Sequence, residues 1–422
     1  MKSKNLVVAI TTMLLFGLLV VPASAGSDWL QFQGGADKNA CTDEDGPLSV
    51  SSSWETHLYG GGWMGMDSVP LVVDDYVYAK SYNPSLYRVS LAGSKTTVNS
   101  TGGGGLQNAV SASNGSVIFD LSTGYMNQFP TIKAIDLSTD NVIWTATFGD
   151  SVSYQCSCPI LYDDGYLYVG NTRMSGGDST NLTDDGSYYC FDENGNEIWS
   201  TPSSDNVGYY WAGACSVGEY IVYGNDAGNV TLVEKADGDV VDSFDISDVF
   251  SDDNQIRSTC VYYDDGTDER IYFTSKGGIY YVGLTNNGGT YSFDTSSTGS
   301  NTGISSSTST PAIDIDEGVV YVCGTSGLYA LDADDLTTTW THAGGASKAS
   351  PVISDDLDDG DNVIYYVTGL DSICYGVRDD GNSYTELFDY PPTNDNYGLQ
   401  GVAISGGMIF YGNDDGYLFG IE

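Results

Sequence analysis

Short apolar runs of three to six residues recur along the chain from about residue 68 to the C-terminus, separated by turns rich in Gly and Asp. The clearest copy spans Thr310 to Trp340. Its pattern predicts four β-strands, at Pro311–Ile315, Val319–Cys323, Leu328–Leu331 and Thr337–Trp340. Turns fall at Asp316-Glu317-Gly318, at Gly324–Gly327 and across Asp332–Leu336. Val319-Val320-Tyr321-Val322 is continuously apolar, as expected of a strand covered on both faces. A four-stranded unit of this kind cannot bury both faces alone and needs neighbours of its own type.

Eight copies of the pattern follow one another with a period of about 40 to 55 residues, the range of propeller blades. Their central apolar runs are Tyr76–Ala79, Val117–Phe119, Tyr166–Val169, Tyr220–Tyr223, Arg270–Phe273, Val319–Cys323, Val363–Val367 and Met408–Tyr411. The eighth copy stops at Glu422 without its fourth strand. An unpaired candidate, Leu48–Leu58 with Trp54, lies far upstream. The expected fold is therefore all-β: a single eight-bladed β-propeller of four-stranded antiparallel blades, the last blade closed by an N-terminal strand. The longest insertion, Asn171–Ser187 in the third copy, is a polar loop suited to recognition. Residues 1–25 read as a signal peptide, with Lys2 and Lys4, an apolar Leu6–Val21 and the small-residue run Ala23-Ser24-Ala25. Residues 26–422 then form the propeller domain. An exported protein, secreted or held at the cell surface without a transmembrane segment after cleavage, is expected.

Charge narrows the partners. With 14 Lys+Arg against 57 Asp+Glu, the formal net charge is −43, which disfavours nucleic acid and anionic lipid and suits high ionic strength. Eight Cys permit four disulfides or serve as small buried hydrophobes, and spacing does not decide between these. Asn99, Asn114, Asn181 and Asn229 each open an N-glycosylation sequon. In the acidic run Asp355–Asp361, the residues Asp356, Asp358 and Asp361 are the calcium candidates, although the Gly is one place off a calcium-loop register. His57 and His342 each follow a Trp strand, a position expected at a blade edge, and no Ser-His-Asp arrangement is signalled. Tyr209-Tyr210-Trp211 and Tyr397 are candidates for an aromatic binding platform.

Ala330-x-Asp332 followed by Trp340, and Ala134-x-Asp136 followed by Trp144, resemble the docking motif of the PQQ-like repeat (quinoprotein alcohol dehydrogenase-like) β-propeller family. The opening run Asp28-Trp29-Leu30-Gln31-Phe32-Gln33-Gly34-Gly35 also resembles the start of secreted members. The resemblance implies that Trp54, Trp144, Trp199 and Trp340 pack between adjacent blades. The sequence departs from the pattern where the motif glycine is Asp140 or Leu336, and where four copies lack the Trp. Dehydrogenases of the family hold pyrroloquinoline quinone (PQQ) and calcium at the ring axis, with an Arg beside the quinone and, in many, a disulfide of adjacent Cys. Here no two Cys are adjacent and Arg is limited to Arg88, Arg173, Arg257, Arg270 and Arg378. No catalytic residue and no quinone cofactor are expected, calcium being the candidate exception. The expected role is a non-catalytic binding or scaffold module for a protein or glycan of the cell envelope. The alternatives are a PQQ-dependent dehydrogenase and a structural surface-layer component. The acidic, Tyr-, Ser- and Thr-rich composition resembles that of archaeal surface proteins.

Overall fold

The computed structural model describes residues 27–422, apart from 61–64, 67, 82–84, 99–111, 123–128, 150–153, 174–184, 205–206, 253, 306–307 and 359. The chain forms an eight-bladed β-propeller of four-stranded antiparallel sheets with almost no helix. The innermost strands, in blade order, are Leu71–Val73, Ala112–Ser113, Leu161–Asp163, Ala214–Val217, Val261–Asp264, Ala312–Asp314, Val352–Asp358 and Ala403–Ser405. In the sixth blade Ala312 faces Tyr321, Val320 faces Leu331 and Ala330 faces Trp340. Its second strand, Val319–Cys323, is buried at four of its five positions, which is why its residues are apolar without alternation. The outer strands pack on one side only, and Asn141–Thr147 alternates exposed and half-buried positions. In six blades the register slips by a bulge between the third and fourth strands. Such bulges increase the local twist.

The ring closes as the sequence predicts. Ser53–His57 pairs antiparallel with Tyr417–Ile421 and becomes the outermost strand of the eighth blade. Glu55 ties this strand to the approach from the seventh blade. Its carboxylate accepts from the Tyr390 hydroxyl, from the backbone N–H groups of Thr393 and Asn394, and from Asn394 Nδ2. Burial acts to raise the Glu55 carboxyl, but these hydrogen bonds outweigh it and hold the group below its ordinary range. A five-residue helix, Ile246–Phe250, joins the fourth and fifth blades and is N-capped by Asp245. It is too short to show as a sequence period.

The four tryptophans each reach from an outermost strand to the hairpin between the third and fourth strands of the next blade. Indole N–H groups of Trp54, Trp144 and Trp199 donate to the carbonyls of Leu91, Glu193 and Lys235 at 2.7, 2.7 and 2.8 Å. Trp340 donates to Asp379 Oδ1 at 3.0 Å. Three of the rings lie on Gly93, Gly195 and Gly238, where an added Cβ would collide with the indole. These glycines also hold positive φ, and Asp140 and Leu336 keep φ of 56° and 59° at the corresponding turns. The turn is thus imposed by the blade rather than by glycine, and non-glycine residues pay roughly 1–2 kcal/mol to adopt it. All eight cysteines are free and seven are buried, so they act as small core side chains.

Candidate binding face

Because the strands alternate in direction, the hairpins joining first to second and third to fourth strands share one face of the disc. The loops joining second to third strands, and those leading to the next blade, share the other. On the axis, an innermost strand turns unpaired backbone groups inward. The segment 27–46 answers them by circling the axis once. Trp29 exchanges two hydrogen bonds with Val72 of the first blade, and the Leu30 carbonyl accepts from Ser113 of the second. Gln31 Oε1 accepts from the N–H of Tyr162 in the third blade at 3.0 Å. The carbonyls of Ala36, Asp37, Asn39 and Ala40 accept from Ser216, Tyr262, Ile313 and Ile353, one in each of the next four blades. Cys41–Thr42 then runs parallel to the seventh blade, and Glu44 accepts from Gly406 in the eighth. This turn of chain needs left-handed backbone at Gln33, Gly34, Lys38 and Ala40.

Lys38 is the cation of this axial thread, with no exposed surface. Its Nζ donates to Gln31 Oε1 at 2.7 Å and to the Phe32 carbonyl at 3.2 Å. Burial pushes its ammonium down to about 7, against the pull of Asp37. Above the thread, on the loop face, Phe32, Ser157, Pro159, Trp211, Arg257, Thr259, Thr308, Thr310, Leu399 and Gln400 surround the axis. The cavity among them measures about 10 Å³, the space of a single water. Arg257 lies over the Tyr210 ring and pairs with Asp226 at 3.2 Å. Burial raises the Asp226 carboxyl to about 6 despite that pairing, and its Oδ2 has no hydrogen-bond partner among the described residues.

A larger cavity lies off the axis on the same loop face, across the fifth to eighth blades. It measures about 350 Å³ and is lined by Lys276, Ser305, Gly324, Thr325, Ala346, Ser347, Lys348, Gly369, Leu370 and Tyr397. Leu370 is 79% exposed at its rim. These lining residues come from six separate loops, none of which carries a recognisable motif.

The residues singled out from the sequence fall in different places. Tyr209 and Tyr210 are buried and Trp211 half-buried at the axis, so this run forms no exposed aromatic platform; Tyr397 is instead in the off-axis cavity. His342 is not at a blade edge. It is buried between the sixth and seventh blades, its ring nitrogens 2.7 Å from the Tyr366 hydroxyl and 2.8 Å from Glu386. Asp361 lies 3.7 Å from Arg378, while the side chains of Asp356 and Asp358 lie outside the described residues. Just before them, Cys41, Asp314 and Asp355 bring ligand atoms within 4.8 Å of one another. Burial and the nearby carboxylates hold the Cys41 thiol protonated, and Asp314 is already engaged by Asn362 and two backbone N–H groups. Asn114 spends its side chain on Glu193 and its own turn, and Asn229 opens a third strand of the fourth blade. Asn99, Asn181 and most of the Asn171–Ser187 insertion lie outside the described residues.

Residues 123–314 match the family model described as outer membrane protein assembly factor BamB. The structure is similar to quinohemoprotein alcohol dehydrogenase from Comamonas testosteroni, with a TM-score of 0.69 and 11% identity over 95% of this chain and 81% of that one. Both likenesses are consistent with a PQQ-like β-propeller family. Other solved structures of similar fold are a europium-containing methanol dehydrogenase and BamB from Moraxella catarrhalis. The first has a TM-score of 0.63 and 11% identity, over 88% of this chain and 86% of that one. The second has a TM-score of 0.59 and 14% identity, over 88% and 98%. No curated protein matches by sequence. The similar structures thus include both dehydrogenases and BamB, and a shared fold does not choose between them. No helix among the described residues is long and apolar enough to cross a membrane.

Proposed function

We propose that this PQQ-like propeller is an exported, non-catalytic binding module that engages a protein partner through its loop face. The observation that carries the reading is the axis. The chain's own segment 27–46 occupies it, and the residual cavity of about 10 Å³ does not admit a tricyclic quinone. Arg257, the arginine beside the axis, is committed to Asp226 and to the Tyr210 ring. These residues therefore do not fit the cofactor of the family's dehydrogenases. The roomier space lies off the axis, among loops on a rigid ring, an arrangement suited to recognition.

The test is reconstitution with PQQ and either calcium or a lanthanide, followed by absorbance and by dye-linked alcohol oxidation. The reading expects neither a bound-quinone spectrum nor turnover. Stoichiometric quinone binding with alcohol-dependent dye reduction would replace the binding module with a dehydrogenase.

A further inference from the structure

Cations are scarce in this chain, and the described ones are almost all engaged. Lys80, Arg88, Arg173, Lys235, Arg257, Arg270 and Arg378 each pair with at least one Asp. Lys38 and Lys95 donate to amide and backbone carbonyl oxygens. Lys276 and Lys348 differ: among the described residues neither ammonium has a carboxylate or carbonyl partner, and both are exposed. They come from different blades, yet both line the same off-axis cavity. In a chain of net charge −43, two unneutralised cations sharing one cavity set the sign of what can bind there.

The rest of the lining selects the body of the ligand. Gly324, Ala346, Gly369 and Leu370 offer apolar surface, with Tyr397 beside them. The hydroxyls that a sugar would use are largely spent inside the protein. Ser347 donates to the Val367 carbonyl and Ser305 to the Lys276 carbonyl. A volume of about 350 Å³ accommodates one or two apolar side chains, at the small end of ligand clefts. We infer that this cavity recognises an acidic peptide segment of a partner protein. An apolar side chain enters beside Leu370, and flanking carboxylates meet Lys276 and Lys348. The inference deepens the proposed binding function and rests on it.

The geometry also gives a salt signature. The whole-protein field repels an acidic peptide at long range, while the two lysines attract it at contact. Salt screens the first effect over about 10 Å at 0.1 M and leaves close contacts less affected. Association should therefore quicken between 0.02 and 0.3 M salt, the opposite of ordinary steering between opposite charges.

The experiment uses the full mature chain and a fluorescein-labelled octapeptide, Gly-Asp-Glu-Leu-Phe-Glu-Asp-Gly, read by anisotropy. Control probes carry Asn and Gln for the acids, or Ser for Leu and Phe, and an oligogalacturonate represents acidic sugars. Saturable binding of the acidic apolar peptide is expected. It should fall at least tenfold in the K276Q/K348Q variant and at least fivefold in L370S, with both control peptides weak and on-rates rising with salt. These positions are exposed, so far-UV circular dichroism should be unchanged. Four outcomes overturn the inference: no binding of the acidic peptide, equal binding by the Asn/Gln peptide, affinity unaffected by K276Q/K348Q, or lysine-dependent binding of the oligogalacturonate alone. If the peptide fails while the protein from its source retains a partner protein in native mass spectrometry, the cavity assignment falls and the binding-module reading stands.

Discussion

Replacing Trp340 by Ala tests the blade interface where its energetics are best defined. The ring is 6% exposed, 5.9 Å from Tyr321 within its own blade and 5.3 Å from Tyr384 of the next. Its N–H donates to Asp379 Oδ1, which also accepts from the Gly381 N–H, while Asp379 Oδ2 accepts from the Tyr321 hydroxyl. A buried indole removed to Ala costs about 3–5 kcal/mol through lost transfer energy and the cavity left behind. Asp379 keeps its two other donors, so the lost hydrogen bond adds only about 0.5–1.5 kcal/mol. A total near 4–5 kcal/mol is expected for Trp340→Ala, and about 1–2 kcal/mol for Trp340→Phe, where most of the apolar volume remains. Trp144 is only half-buried, with Phe119 at 6.1 Å, and Trp144→Ala should cost about 1–2 kcal/mol. Urea unfolding followed by circular dichroism gives these values as shifts in midpoint at constant slope. A loss below about 1 kcal/mol for Trp340→Ala, or equal losses at the two sites, would show that the indole does not seal the interface.

Three further outcomes follow from buried charge, ring closure and the thiols. Because the folded-state value of Lys38 lies near 7, below its ordinary 10.5, the unfolded chain binds more protons between these limits. Stability should rise with pH across that window, and the penalty, about 4–5 kcal/mol, is present in full below pH 7. Lys38→Met should therefore stabilise the protein at pH 6 and destabilise it near pH 10 by about 1–3 kcal/mol, the cost of stranding Gln31 and Phe32 oxygens; a shift independent of pH in urea titrations would contradict the burial. Glu55→Ala should cost about 1–3 kcal/mol at pH 7 by removing the acceptor for residues 390–394. That cost should shrink as acid protonates Glu55, because its folded value is depressed and its contribution is lost as pH falls through it. A loss under about 0.5 kcal/mol would leave ring closure to the strand pairing alone. Burial pushes the thiols of Cys190, Cys260 and Cys323 up to about 12; a thiol reagent at pH 8 should leave the native protein unlabelled and titrate eight groups in urea, whereas fewer than eight without reductant would reveal a disulfide.

The blades were legible because two strands per repeat are buried on both faces and therefore read as unbroken apolar runs. The outermost strands were legible only where a Trp marks them. Thr290–Asn301 of the fifth blade is mostly half-exposed, carries no Trp and shows no comparable period. The closing strand Ser53–His57 was visible as a remainder, since the eighth repeat lacks a partner for Tyr417–Ile421. The axial thread was not. Its contacts are mainly backbone carbonyls meeting strand edges up to hundreds of residues away, and such bonds leave no side-chain signature. The off-axis cavity was hidden for a related reason. Lys276, Lys348, Leu370 and Tyr397 are ordinary loop residues until the ring brings their loops together. His342 was misplaced because a polar ring at the end of an outermost strand reads as exposed, although it shares the inward face of the buried Trp340 two positions before it.

Hydrogen exchange on the mature chain, read peptide by peptide, tests the central claim: the axis belongs to the protein's own N-terminal segment and binding takes place beside it. With PQQ and calcium added, residues 28–46 and the loops at Trp211, Arg257 and Gln400 should exchange as in the free protein. With the acidic octapeptide added, protection should appear at 324–325, 346–348, 369–370 and 397. Loss of protection along 28–46 together with new protection at Trp211 and Arg257 on adding quinone would show a displaceable thread and a cofactor site, and would contradict the account.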